Sequence, residues 1–217
     1  MLKLYSYFRS SAAYRVRIAL GLKGLAYDTI PVHLLKDGGQ QHASAYRNAN
    51  PQGLVPALQL ADDGPVLAQS LAIIEYLDET QAGPALLPGD ALGRARVRAL
   101  AQMVACEIHP LNNLRVLKYL KHELGVSNMQ KDAWYAHWVA LGLQAVEDSL
   151  VRSPDTGRFC HGDSPGLADC CLVPQVFNAQ RFNCALDAYP IITRIVAACE
   201  QLPAFQKAAP GVQPDAE

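Results

Sequence analysis

Two hydroxyls and a cation stand together in YFRSSAAYRVRIAL (residues 7–20). There Phe8-Arg9-Ser10-Ser11 closes a strand-like stretch and a helical pattern begins. The first N–H groups of a helix lack intrahelical partners and the dipole is positive there, so such a junction attracts anions. A serine hydroxyl at that point can donate to a thiolate or a carboxylate, and it can equally cap the helix. Gln69-Ser70 repeats the arrangement, a polar pair that ends a later strand and opens a helix. Two helix N-termini can therefore face one crevice. In NPQGLVPAL (50–58), Pro56 starts a strand directly after Val55. A strand-initial proline leaves part of a backbone edge unpaired, which suits an extended peptide ligand, although an ordinary turn proline reads the same way locally.

Arginine supplies the planar, forked cation that a carboxylate ligand needs. Arg9 adjoins the serine pair, Arg115 lies in HPLNNLRVLKYL and Arg181 in NAQRF. For each, a salt bridge on the surface or between helices is the competing role. His109 and Asn113 stand four apart, the spacing of one helix face, and can line the crevice. A histidine satisfied by backbone at a helix kink has the same local signature. Arg15 and Arg17, inside the first helical pattern, read as a solvated face, or one of them as a contact between helices or subunits. The aromatics of KDAWYAHW read as core.

The elements that must position these groups follow from periodicity and turn signals. LKLYSY (2–7), YDTIPVHL (27–34), VPALQL (55–60) and PVLAQ (65–69) read as strands. ADDG (61–64) forms a hairpin turn between the last two. Helices are expected over 11–23, with Gly24 closing the first, and from Ser70 as cap through SLAIIEYLDETQ. The order β-α-β then β-β-α suits a small mixed sheet with helices on its faces. AGPALLPGD (82–90) reads as a linker. Beyond it the strand signals stop, and the rest is helical, with a break or kink at Pro110 and Pro174 inside a later helix. The expected partition is residues 1–81, a linker at 82–90 and an all-helical part at 91–217.

The 217 residues carry 19 Lys and Arg against 20 Asp and Glu, for a net charge of -1. Interspersed charge of that kind argues against nucleic acid as a partner, since phosphate binding needs a clustered basic excess. No stretch reaches the ~20 apolar residues of a spanning helix, so no membrane role is expected. The N-terminus has no signal pattern, and a cytoplasmic location is expected. The six cysteines have neither CxxC spacing nor histidines at ligand spacing, so they read as reduced, mostly buried thiols with no metal site.

The order of elements and SSAAYRVRIAL (10–20), KDGGQQ (36–41), NPQGLVPAL, QSLAIIEYL (69–77) and LVPQVFNAQRF (172–182) resemble the zeta class of the glutathione transferase family. The resemblance spans almost the whole chain. It implies a thioredoxin-like α/β N-terminal domain followed by an all-α domain, with glutathione as cofactor. It implies that Ser10, with Ser11 beside it, donates to the thiol sulfur. Gln69 and Ser70 would meet the γ-glutamyl carboxylate, Val55 would pair with the cysteinyl backbone, and Gln41 would touch the glycyl end. His109 and Asn113 join the cofactor-binding set. Arg9, as a catalytic group, with Arg115 and Arg181 would bind a small dicarboxylate substrate.

The activity implied is cis–trans isomerisation of maleylacetoacetate in aromatic amino acid breakdown, by thiolate addition, rotation and elimination. The alternatives are maleylpyruvate isomerisation in gentisate breakdown, transfer to small α-halo acids, and a binding module that keeps the fold without catalysis. A two-fold homodimer is expected. The sequence departs from the class signature at Ala12, where a cysteine is usual, and at Tyr14, where a tryptophan is usual. No mechanism can use a protein thiol at position 12. Gly166 stands where a Ser or Thr usually caps the helix that carries Asp169.

Overall fold

Leu4, Leu58 and Leu67 stand in register across three strands, and the first two are fully buried. In the computed structural model, which describes Met1–Glu217, this row lies within a four-stranded mixed sheet. Its strands are β1 (Leu2–Ser6), β2 (Tyr27–Pro31), β3 (Ala57–Gln59) and β4 (Val66–Ala68), in the order β2-β1-β3-β4. β1 and β2 run parallel, joined through α1 (Ser11–Leu22), whereas β1–β3 and β3–β4 pair antiparallel. A parallel neighbour requires such a crossover, and a hairpin suffices for the antiparallel pair. α3 (Ser70–Thr80) follows β4 directly. The strands are shorter than the alternation suggested: the second stops at Pro31 and the third starts at Ala57.

The KDGGQQ stretch is two short 3-10 turns, Lys36–Gly38 and Gln40–His42, followed by α2 (Ser44–Ala49), a helix the sequence pattern did not signal. Gly39 takes φ +104, a backbone conformation that favours glycine, and lies against the end of the Gln41 side chain.

The second part consists of α4 (Ala91–Gln102), α5 (Leu114–His122), α6 (Asn128–Val151), α7 (Leu167–Arg181) and α8 (Pro190–Glu200). Between α4 and α5 the chain forms a π-helical stretch, Met103–Ile108, in which His109 N–H reaches back to Val104 C=O at 3.0 Å. Ile108 occupies the space a Cβ on Gly142 of α6 would take, so the wide turn is seated against a glycine. No helix is long and apolar enough to cross a membrane.

Contacts divide the chain into two compact units, Met1–Leu86 with Glu200–Glu217, and Leu87–Cys199. Residues 200–217, expected with the helical part, thus belong to the first unit. Two contacts explain it. α9 (Pro203–Ala208) approaches α1 so closely that a Cβ on Gly21 would be 3.2 Å from Ala204 Cα. Arg17 Nε also donates to Ala208 C=O at 2.9 Å. The stretch read as a linker is anchored too: Asp78, half-buried as a residue, accepts from Leu86 N–H at 2.8 Å and pairs with Lys23 at 3.0 Å.

α1 is apolar on almost every side, and every residue from Ala13 to Leu20 is buried. A helix of that kind is a core helix. Arg15 and Arg17 go in with it, at 2% and 1% exposure, so their assignment to a solvated face does not hold. Arg17 is kept by hydrogen bonds to Ser6 Oγ, Phe8 C=O and Ala208 C=O, and Arg15 donates to Ser70 Oγ. A buried guanidinium with no such bonds would be prohibitive. Burial pushes Arg17 down to about 10, and it stays charged at neutral pH.

Candidate functional site

Register brings the N-terminal candidates to one end of the sheet. Tyr5 pairs with Ala57, and Ala57 with Ala68. Beyond that row β1 runs out toward Ser10, the chain enters β3 through Val55 and Pro56, and β4 runs out into Gln69 and Ser70. Ser10 is the N-cap of α1. Its Oγ accepts from Ala13 N–H at 3.2 Å, and its own N–H donates to Tyr7 C=O at 2.9 Å. Capping uses a lone pair of the hydroxyl and leaves its proton available, so the two roles open for Ser10 are compatible. Ser11 is the first residue of the helix and is buried. The Arg9 guanidinium lies over the Phe8 ring, 4.7 Å from its centroid.

At α3 the cap is Gln69 rather than Ser70. Gln69 takes φ +70, and Ser70 is the first helical residue. A left-handed conformation at a non-glycine is uncommon and points to a local functional demand. Gln69 Nε2 donates to Gln52 Oε1 at 2.8 Å. Ser70 Oγ accepts from Arg15 Nη1 at 3.2 Å, which ties the starts of the two helices through a buried cation. Neither helix has an acidic residue in its first turn.

The remaining first-unit candidates lie in the connections. The Val55–Pro56 bond is cis, and Val55 makes no backbone hydrogen bond within the chain. The preceding residue is fixed firmly, since Leu54 C=O accepts from Tyr46 Oη at 2.5 Å and Asn50 Nδ2 at 2.7 Å. Gln41 is buried, its Nε2 is 3.2 Å from His42 Nε2, and its Oε1 has no partner.

In the second unit, His109 and Asn113 do not share a helix face. His109 follows the π-helical stretch, and Asn113 is the N-cap of α5, accepting from Arg115 N–H at 3.1 Å. Pro110, which lacks an N–H, intervenes. Their side chains nonetheless meet, Nδ2 to Nε2 at 3.4 Å. Arg115 is exposed on α5, and the exposed Arg181 lies over the Phe182 ring at 4.9 Å. All six cysteines are free thiols, and burial raises those of Cys160 and Cys170 well above the ordinary range. Asp169 accepts from Gly166 N–H at 2.8 Å and Cys160 N–H at 2.9 Å, so glycine at the cap leaves that bond intact.

Glutathione offers two carboxylates, an extended backbone and a thiol. The polar groups of the first unit fit it: two helix N-termini free of acids as donors, a residue with unpaired backbone groups between them, and a buried amide whose unused oxygen can accept from a peptide N–H. Arg15 is the supporting residue that sequence reasoning misplaced. The available signal was that a helix apolar all round buries whatever charges it carries.

Residues 4–85 match the glutathione S-transferase N-terminal domain family. A maleylacetoacetate isomerase of Pseudomonas aeruginosa is 52% identical, over 99% of this chain and 98% of its own. Among solved structures, a maleylpyruvate isomerase described as a bacterial zeta-class glutathione S-transferase superposes with a TM-score of 0.94 at 49% identity, over 99% of this chain and 100% of its own. A maleylacetoacetate isomerase from Methylobacterium extorquens AM1, with malonate and glutathione bound, gives a TM-score of 0.94 at 42% identity, over 99% of each chain. With such identity sustained from end to end, the chain belongs to the glutathione S-transferase family, in its zeta class.

Proposed function

We propose that this chain is a glutathione-dependent cis–trans isomerase that converts maleylacetoacetate to fumarylacetoacetate. The observation that carries the reading is the pair of acid-free helix N-termini at one sheet end, with a hydroxyl proton of Ser10 left available by its capping role. The named isomerases of high identity support it. Glutathione, when bound, supplies a thiol that adds reversibly to the substrate double bond, which permits rotation before the thiol leaves.

The chain's own groups then have definable tasks. Gln69 and Ser70 hold the γ-glutamyl carboxylate at the start of α3. Val55 pairs its free N–H and C=O with the cysteinyl backbone, and Gln41 meets the glycyl end. Ser10, seconded by Ser11, donates to the sulfur. A free thiol ionises near 8.5, and a hydroxyl donor with a helix N-terminus favours the anion. Lowering that value by one to two units takes roughly 1.4 to 2.7 kcal/mol of differential stabilisation, within reach of these two effects. Arg9 binds a substrate carboxylate and steadies the enolate charge that develops as sulfur adds. Arg115 and Arg181 are proposed as further carboxylate ligands, and His109 and Asn113 as cofactor contacts.

Maleylpyruvate is the second substrate to consider, because a maleylpyruvate isomerase is 49% identical over the full chain. A pocket distinguishes one carbon by only ~1–3 kcal/mol, so the two acids can share this machinery. A two-fold dimer and a cytoplasmic location complete the proposal, and light scattering tests the dimer. The decisive experiment supplies each acid to the purified protein with and without glutathione. Glutathione-dependent conversion of maleylacetoacetate supports the proposal. Faster conversion of maleylpyruvate reassigns the substrate, and no conversion of either acid sinks the isomerase reading.

A further inference from the structure

Both backbone groups of Phe8 are held by charged side chains, one from α1 nine residues on and one 207 residues away. Its N–H donates to Asp215 Oδ2 at 2.9 Å, and its C=O accepts from Arg17 Nη2 at 3.0 Å. Arg17 is 1% exposed and also donates to Ser6 Oγ at 3.1 Å and Ala208 C=O at 2.9 Å. One guanidinium thus joins the end of β1, the loop after it and the end of α9. Asp215 interacts electrostatically with Arg17, and its Oδ1 is buried without a hydrogen-bond partner. Neither arginine nor aspartate belongs to the set proposed to touch glutathione or the acid.

The loop they hold is the one that matters for chemistry. Phe8 is buried, its ring carries the Arg9 guanidinium at 4.7 Å, and the chain reaches Ser10 two residues on. Ser10 N–H closes the same turn on Tyr7 C=O at 2.9 Å. Fixing the Phe8 peptide groups therefore fixes both the platform of Arg9 and the start of α1. A turn closed only by its own hydrogen bond can rock about its ends. A turn with an anion on one peptide group and a cation on the next cannot rock without breaking charge-assisted bonds.

We propose that Asp215 is a positioning residue: together with Arg17 it clamps the Phe8 backbone and so sets where the Ser10 hydroxyl and the Arg9 guanidinium stand. The rate consequence rests on the isomerase reading above, while the clamp itself does not. A misplacement of about 1 Å at a reacting centre costs on the order of a hundredfold in rate.

The test is Asp215→Ala and Asp215→Asn in the full chain. Four readouts are taken: kcat and glutathione KM, the pH midpoint of thiolate absorbance of bound glutathione, exchange of the Phe8 amide hydrogen, and thermal melting. The alanine variant is expected to lose about 10- to 100-fold in kcat, with glutathione KM within about twofold. Its bound-thiol midpoint should move to higher pH and its Phe8 amide should exchange faster. The asparagine variant keeps an oxygen acceptor for Phe8 N–H and should recover most of the kcat. Wild-type kcat and thiol midpoint in the alanine variant would overturn the clamp. So would a lower kcat fully explained by a smaller folded fraction, with the midpoint unmoved. Should the wild-type protein isomerise neither acid, that result removes the function reading alone. Phe8 exchange and the thiol midpoint then decide the clamp, a change in both supporting it and no change in either overturning it.

Discussion

Helices α4, α7 and α8 of the second unit begin differently from α1 and α3 of the first. Asp90 accepts from Gly93 N–H at 2.8 Å at the start of α4. Asp169 does the same for Gly166 in α7, and the buried Glu147 receives Ile191 N–H at 2.8 Å and Ile192 N–H at 2.9 Å at the start of α8. Each of these ends meets a carboxylate from the chain itself. α1 and α3 have no acidic residue in their first turns, and the charged groups beside them, Arg9 and Arg15, are cations. The physical demand is the same in all five, unpaired N–H groups and a positive dipole end. The difference is whether the chain itself supplies the anion. An acid-free start is not by itself a ligand site, since α5 and α6 open on the uncharged caps Asn113 and Ser127. α1 and α3 differ from those in standing side by side at one end of the sheet. On the proposed function, these two starts are where the thiolate and the γ-glutamyl carboxylate of glutathione would take that place.

The contrast can be broken from either side. Asp169→Ala should have the largest effect, and on stability. It leaves the N–H groups of Gly166 and Cys160 unsatisfied beside a 1%-exposed site. A loss of about 3 kcal/mol is expected in denaturant unfolding, with kcat per folded molecule unchanged. Ser10→Ala should act the other way round. Isomerisation should fall about 100-fold, with the bound thiol ionising at higher pH, while stability drops by only ~1 kcal/mol from the lost cap. Wild-type turnover in that variant would remove Ser10 from the mechanism.

Ser70→Ala should raise glutathione KM about tenfold with kcat nearly intact, because its contact is with the ground-state ligand. The sharpest probe is also the smallest. Ala12→Asp gives α1 the acid that α4 and α7 already have. Stability should rise by about 0.5 kcal/mol, and turnover should drop severalfold as the new charge competes with the thiolate. A simultaneous gain in both would mean that the bare terminus is not kept for an anion.

The order of elements along the chain and the serine junction were legible because they depend on local rules. Alternation in LKLYSY, the ADDG turn and the apolar helix after Ser11 gave the elements, and polar pairs at two junctions gave Ser10 and Ser70. The cap of α3 moved by one residue, to Gln69, because a left-handed φ at a glutamine has no sequence signature. His109 and Asn113 kept their contact but lost their shared helix. The π-helical stretch depends on the fit of Ile108 against Gly142, 34 positions away in sequence. Residues 200–217 were placed with the wrong part because periodicity tells that α9 is a helix, not which surface buries it.

The sequence by itself determined most of the elements, the polar starts of α1 and α3 and the family, since each is written in short-range patterns of residue type. The tertiary structure alone decided which row of the sheet aligns those starts. It also decided that Arg15 and Arg17 are interior, and that Asp215 grips Phe8 from 207 residues away. Such pairings carry no local signature: buried charges are tolerated only where the folded chain delivers their partners.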